Sequence, residues 1–135
     1  MGKHFGLSDM EYDLMSFFWE QAKPVTFAEI LNFCNSVKGW NWAKTTAHTY
    51  VTRLMQKGLL DMNSVRGVRR TYFARINRED FARKSAQEFI DSSFSGSLKN
   101  LFLTLVPDNK LTQEDIHELR KVLDQLIEPN DDAST

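Results

Sequence analysis

The residues with the most chemistry to offer lie in the middle of the chain. From Lys38 to Arg75 there are eight Lys or Arg residues against a single acid, Asp61, a local cation excess of the kind that contact with phosphate requires. Within it, Lys44, Thr45, His48, Thr49, Thr52 and Arg53 recur at spacings that put them on the outer face of one helix. A threonine there offers a hydroxyl to a phosphate or base and a methyl to thymine, and Arg53 can grip a phosphate or a guanine. A neutral His48 imidazole would contact a base edge or a phosphate by a hydrogen bond rather than by a full charge. Arg66, Arg69 and Arg70 then surround Gly67, where cations can straddle a sugar-phosphate backbone or enter a narrow minor groove.

Other chemistry finds little support. The three histidines, His4, His48 and His117, are far apart, and none has a metal-ligand spacing such as His-Glu-x-x-His. His117, beside Glu118 and Arg120, reads as solvated surface. Glycine-rich phosphate loops and a nucleophile elbow are missing, so no catalytic residue, metal or cofactor is expected. The single cysteine, Cys34, has no disulfide partner and reads as core filler, which suits a reducing, cytoplasmic compartment. Apolar runs fall far short of the roughly 18 residues of a membrane span, so no membrane insertion is expected.

The elements that must position the cationic face follow from local signals. Ser8-Asp-Met-Glu11 is a capping box that starts a helix at about Asp9, with Met10, Leu14, Phe17 and Phe18 as its apolar positions. Thr26-Phe-Ala-Glu29 repeats the signal and opens a second helix with Phe27, Ile30, Leu31 and Cys34 on its inner side. After Gly39 and the pair Trp40 and Trp42, a third helix is predicted over 43–57, closed by Gly58. Its inner residues are Tyr50, Val51, Leu54 and Met55. Segments 59–63 and 71–74 read as strands of a hairpin with Gly67 at its tip. Three helices and a basic hairpin make a winged helix, whose third helix is the groove-reading element.

The second half differs in charge and pattern. Residues 1–76 hold ten basic against six acidic side chains, or +4, and residues 77–135 hold seven against twelve, or −5, which together give the overall −1. Asn77-Arg-Glu-Asp80 caps a fourth helix through about Phe94, with Phe81, Phe89, Ile90 and Phe94 apolar. Ser95-Gly-Ser97 interrupts it, Leu98, Leu101, Phe102, Leu105 and Val106 form a fifth helical stripe, and Thr112-Gln-Glu-Asp115 opens a sixth helix carrying Ile116, Leu119, Val122, Leu123, Leu126 and Ile127. Three amphipathic helices with so little chain to cover them need a partner, and a second copy is the simplest one. The expected organisation is mostly α: a winged helix-turn-helix domain at 1–76, an α-helical dimerisation domain at 77–128 and a disordered tail at 129–135.

In this order the signals resemble the penicillinase-repressor family, also called the BlaI/MecI/CopY family. The resemblance covers roughly residues 7–127. It rests on Leu7-Ser-Asp-Met-Glu-Tyr-Asp-Leu-Met15 with Trp19, Trp42-Ala-Lys-Thr-Thr46, Thr49-Tyr-Val-Thr-Arg-Leu54 with Lys57-Gly58, Arg69-Arg-Thr-Tyr-Phe73, and Gly96-Ser-Leu98 ahead of Leu111-Thr-Gln-Glu-Asp-Ile-His-Glu-Leu-Arg120. It implies a cytoplasmic bacterial repressor that binds a palindromic operator as a homodimer, and it adds Thr46 to the groove-facing set. His48 stands where many relatives carry Lys or Arg. Some members are inactivated by cleavage at an Asn-Phe bond in the first dimerisation helix, triggered by a membrane sensor of β-lactams; the aligned bond here, Thr104-Leu105, has different residue types. Others sense copper through paired cysteines near the C-terminus, which this chain lacks.

Two other readings compete. A winged helix can present its third helix to a protein partner instead of DNA, and exposed apolar residues on that helix would favour such a module; here the outward positions are hydroxyls and cations. A DNA-binding activator or architectural factor would carry the same surface, because the sign of regulation depends on where the operator lies.

Overall fold

The computed structural model describes residues 5–134, and their side chains through residue 127. His4 and the tail expected at 129–135 fall outside the residues described to that level. The chain divides into two compact units, Met1–Ala86 and Gln87–Thr135, with the division inside one helix.

The first unit begins with α1 (Asp9–Gln21). Its capping box is complete: the Ser8 hydroxyl accepts from the Glu11 N–H at 3.1 Å, and the Glu11 carboxylate accepts from the Ser8 N–H at 2.9 Å. These bonds satisfy amides that a helix start otherwise leaves open. Leu14, Met15 and Phe18 form its buried side. Met10 does not join them; it is exposed, with its sulfur 3.9 Å from the Tyr50 hydroxyl.

The strand β1 (Val25–Thr26), which local sequence signals did not reveal, leads directly into α2 (Phe27–Asn32), capped by Thr26 and Glu29. The helix then widens into a π turn, Phe33–Val37. Next come α3 (Lys44–Gln56), β2 (Leu60–Asn63) and β3 (Thr71–Ala74). The three strands form an antiparallel sheet in the order β1-β3-β2, with Val25 opposite Tyr72 and Leu60 opposite Ala74. The expected two-stranded hairpin is therefore a three-stranded sheet, in which β1 ties the start of α2 to the wing.

One core joins these elements: Leu14 and Phe18 from α1, Ile30 and Cys34 from the second helical segment, Val51 and Leu54 from α3, and Leu60 and Tyr72 from the sheet. Leu14, Ile30 and Leu54 are fully buried, so truncating any one to alanine should cost roughly 2–5 kcal/mol. Where the sheet gives way to α4 (Arg78–Ser93), the Trp19 indole N–H donates to the Ile76 carbonyl at 2.8 Å. Phe81 and the Arg78 guanidinium pack against the same indole. This order of helices and sheet is a winged helix-turn-helix.

The second unit is helical. Ser95 and Gly96 take positive φ values of 51° and 80° after α4, conformations that stop a right-handed helix. Ser97 caps α5 (Leu98–Leu105), a short 3-10 turn follows, and α6 (Gln113–Ser134) starts at Thr112, whose hydroxyl accepts from the Asp115 N–H at 2.9 Å.

Candidate nucleic-acid interface

The position of α3 is set from its N-terminal side. The π turn brings Asn35 against the segment ahead of α3, where the Trp42 N–H donates to Asn35 Oδ1 at 2.6 Å and Asn35 Nδ2 donates to the Trp42 carbonyl at 3.0 Å. Trp42 stacks on Tyr50 with ring centres 4.3 Å apart, and the Trp40 ring lies 4.6 Å from that of Trp42, tilted by 30°. The Arg53 guanidinium then sits over the Tyr50 ring at 5.4 Å, a cation–π contact that restrains a long side chain. Local sequence patterns flagged Trp40 and Trp42 but gave no sign of Asn35, whose role depends on a contact seven residues away.

Beyond this anchor, Lys44, Thr45, His48, Thr49, Thr52 and Arg53 are exposed on one side of α3, and Thr46 is half-buried. Ala43 caps the helix without a side-chain bond, so its first amides lack the side-chain acceptor found at α1 and α2. The Thr49 hydroxyl donates to the Thr45 carbonyl at 2.9 Å, and its oxygen can still accept a hydrogen bond. His48 is held from below: its ring lies 4.0 Å from that of Phe27, only 12° from parallel. Phe27, expected on the inner side of α2, is half-buried and packs against the core, and its ring also reaches His48 on the outer face of α3.

Across from α3, the wing tip is exposed from Ser64 to Arg70. Its turn is closed by the Val68 N–H donating to the Val65 carbonyl at 3.0 Å, with Gly67 at φ 80°. A hollow of about 580 Å³ separates helix and wing, lined by Phe27, His48, Ser64, Arg69, Arg70 and Tyr72 among others. A second, of about 600 Å³, lies on the other side of the stack and is lined by Lys44, Asn32, Asn35 and His48.

Of the eight cations counted in this region, three are paired with carboxylates among the described residues. Lys38 is 3.4 Å from Asp13, Lys57 is 3.0 Å from Glu11 and Arg75 is 3.8 Å from Asp61. Among the described residues, Lys44, Arg53, Arg66, Arg69 and Arg70 form no ion pair with a carboxylate. All five lie on α3 or the wing, so the cationic surface is smaller and more concentrated than composition suggested. Glu11 is buried, which by itself raises a carboxyl pKa, but the Ser8 N–H and the Lys57 ammonium outweigh that and hold it below its ordinary value. Burial pushes the Cys34 thiol up to about 11.

In the second unit, Leu98, Phe102, Leu105, Ile116, Leu119, Leu123 and Leu126 are exposed, while Phe89, Phe94 and Leu101 are half-buried. Phe89 and Phe94 meet edge to face at 5.8 Å. Leu98, Leu101, Phe102 and Leu105 line an apolar cleft of about 270 Å³. Thr104 and Leu105 lie in the last turn of α5, where the Thr104 hydroxyl donates to the Asn100 carbonyl at 2.7 Å. Among the described residues, no group of three or more His, Cys, Asp or Glu side chains could hold a metal ion, and no helix is long and apolar enough to cross a membrane.

Comparison with known proteins places this arrangement among relatives. The chain is 26% identical over 124 residues to the methicillin resistance regulatory protein MecI of Mammaliicoccus sciuri, covering 91% of this chain and 97% of that one. It is 27% identical over 124 residues to the penicillinase repressor of Staphylococcus aureus, covering 92% and 95%. Among solved structures, the DNA-binding domain of the repressor BlaI is similar to 59% of this chain over 93% of its own, at 25% identity and a TM-score of 0.47. The sequence profile of the penicillinase repressor family matches residues 7–125, covering most of both units, and the chain belongs to that family of transcriptional repressors.

Proposed function

We propose that the protein is a sequence-specific repressor that binds a palindromic operator as a homodimer. Residues 1–76 carry the DNA-binding surface and residues 77–128 carry the pairing surface. The observation that supports this most directly is the concentration of five cations without carboxylate partners, together with the Thr45, Thr46 and Thr49 hydroxyls, on α3 and the wing. In this reading α3 lies in the major groove, where Lys44, Thr45, Thr46, His48, Thr49 and Arg53 meet bases and phosphates, and Arg66, Arg69 and Arg70 hold the backbone beside it. Repression follows from occlusion of polymerase in the cytoplasm.

Pairing is supported by the exposed apolar side chains of α5 and α6, which in water amount to a surface seeking cover. Two linked half-site contacts then give an affinity neither would reach alone. Release by a sensor-triggered protease acting near Thr104-Leu105 is part of the same proposal, and its test is whether that bond is cut in cells exposed to inducer.

The operator reading is tested by selecting random genomic fragments with purified protein at near-physiological salt and sequencing what is retained. Enriched inverted repeats upstream of genes are expected. Retention without an enriched motif would count against sequence-specific repression and for a protein-interaction role of the winged helix.

A further inference from the structure

Among the described residues of the first unit, the stack of His48 on Phe27 is the closest parallel ring contact, with ring centres 4.0 Å apart. Phe27 is the first residue of α2, fixed on one side by β1, whose Thr26 pairs with Thr71 of β3, and tilted against the Tyr72 ring at 6.5 Å. Its own ring therefore has little freedom. At 4.0 Å and 12° it covers one face of the imidazole and sets the plane of the other. His48 remains exposed and lines both hollows that flank the stack.

The charges around those hollows all have one sign. Lys44 comes from α3 itself, and Arg69 and Arg70 come from the wing; α2 contributes only uncharged residues, and Tyr72 from β3 contributes a phenol. No carboxylate lines either hollow. A phosphodiester brought between α3 and the wing would meet only cations and would set a negative charge beside the His48 ring.

We infer that the hollow between α3 and the wing seats a phosphodiester of the DNA backbone, that His48 binds it as the imidazolium, and that Phe27 is the positioning residue which presents the ring. This rests on the DNA-binding reading above and adds to it a proton: duplex binding draws one from solvent at each His48. Affinity then rises as pH falls through the range in which an imidazole changes charge, roughly pH 8 to 5.5. By linkage, the gain can approach about tenfold per pH unit for each subunit engaged.

Because a phosphate contact is independent of sequence, the test uses a mixed-sequence duplex of about 30 base pairs at roughly 50 mM salt, where backbone contacts dominate binding. Affinity is measured across that pH range for the intact wild-type chain, His48→Gln, Phe27→Leu, Phe27→Tyr and the His48→Gln/Phe27→Leu pair. Circular dichroism confirms that each is folded. The wild type should bind more tightly at low pH, His48→Gln should show a flat profile, and Phe27→Leu should lose most of the slope. Phe27→Tyr, which keeps a ring to stack on, should restore it. The double variant should be no weaker than His48→Gln alone, since Phe27 acts through His48.

A flat wild-type profile, or a His48→Gln profile as steep as wild type, overturns the inference. A wild-type slope in Phe27→Leu removes Phe27 from it. Wild-type protein that binds no duplex at any pH overturns the DNA-binding reading instead, and this inference with it.

Discussion

The Lys57 ammonium lies 3.0 Å from the Glu11 carboxylate and 3.2 Å from the Gly6 carbonyl, tying the end of α3 to the start of α1. Glu11 is buried while Lys57 is part-exposed, so the pair falls between an exposed ion pair and a fully buried one. Replacing Lys57 with Met should cost about 1–2 kcal/mol at neutral pH, seen as a fall in Tm of roughly 5–10 °C. The Glu11 pKa is lowered in the folded state, so the stabilisation is complete above the ordinary value of 4.5 and lost as pH drops through the folded value. The gap in Tm between wild type and variant should therefore close on acidification; a gap that persists would show the loss to be one of packing.

Asn35→Ala removes both side-chain bonds to Trp42 and deprives the N–H and carbonyl of this half-buried residue of those partners. A loss of about 1–3 kcal/mol is expected in urea unfolding. Amide exchange should quicken in the loop before α3 and in its first turn, while α1 keeps its protection.

Arg69→Ala with Arg70→Ala should flatten the dependence of log affinity on log salt by about 1.8 per subunit, at roughly 0.9 for each phosphate released. Arg53→Ala should weaken binding also. An unchanged salt slope in the double variant takes the wing out of the interface.

Leu119 and Leu123 are exposed on α6. Leu123→Glu, or Leu119→Glu, should yield monomers by sedimentation and lower operator affinity by about 100-fold or more, with the near-ultraviolet signature of the first unit unchanged. Operator binding at wild-type strength by either variant would place the pairing surface elsewhere.

Cys34 is fully buried and its thiol is pushed up to about 11, so the reactive thiolate is scarce at neutral pH. Iodoacetamide at about pH 8 should leave the native protein unmodified and label it rapidly in urea.

Much of the fold could be read from neighbours in sequence. Ser8 with Glu11 and Thr26 with Glu29 announce helix starts because the bonds span three residues, and the outward set on α3 follows from one helical period. The strand β1 could not be read this way: two residues, Val25 and Thr26, are a strand only because β3 lies beside them. The same holds at the interface. Lys38, Lys57 and Arg75 count as free charge in a composition, yet each meets an acid that only folding brings near. Phe27 reads as core from its spacing and does pack against the core, but its ring also meets His48, twenty-one residues on, and no periodic pattern carries that distance.

The π turn at Phe33–Val37 carries a consequence for how this stretch tolerates length changes. A π turn holds one residue more than an α turn, so deleting one residue here would regularise the helix rather than break it. The backbone would gain an ordinary turn with the flanking residues kept in register, and the widened turn that holds Asn35 against Trp42 would be lost. Such a shortened chain should remain folded while α3 loses its mooring, so that thermal stability and, in the proposed function, grip on DNA separate through a change of a single residue.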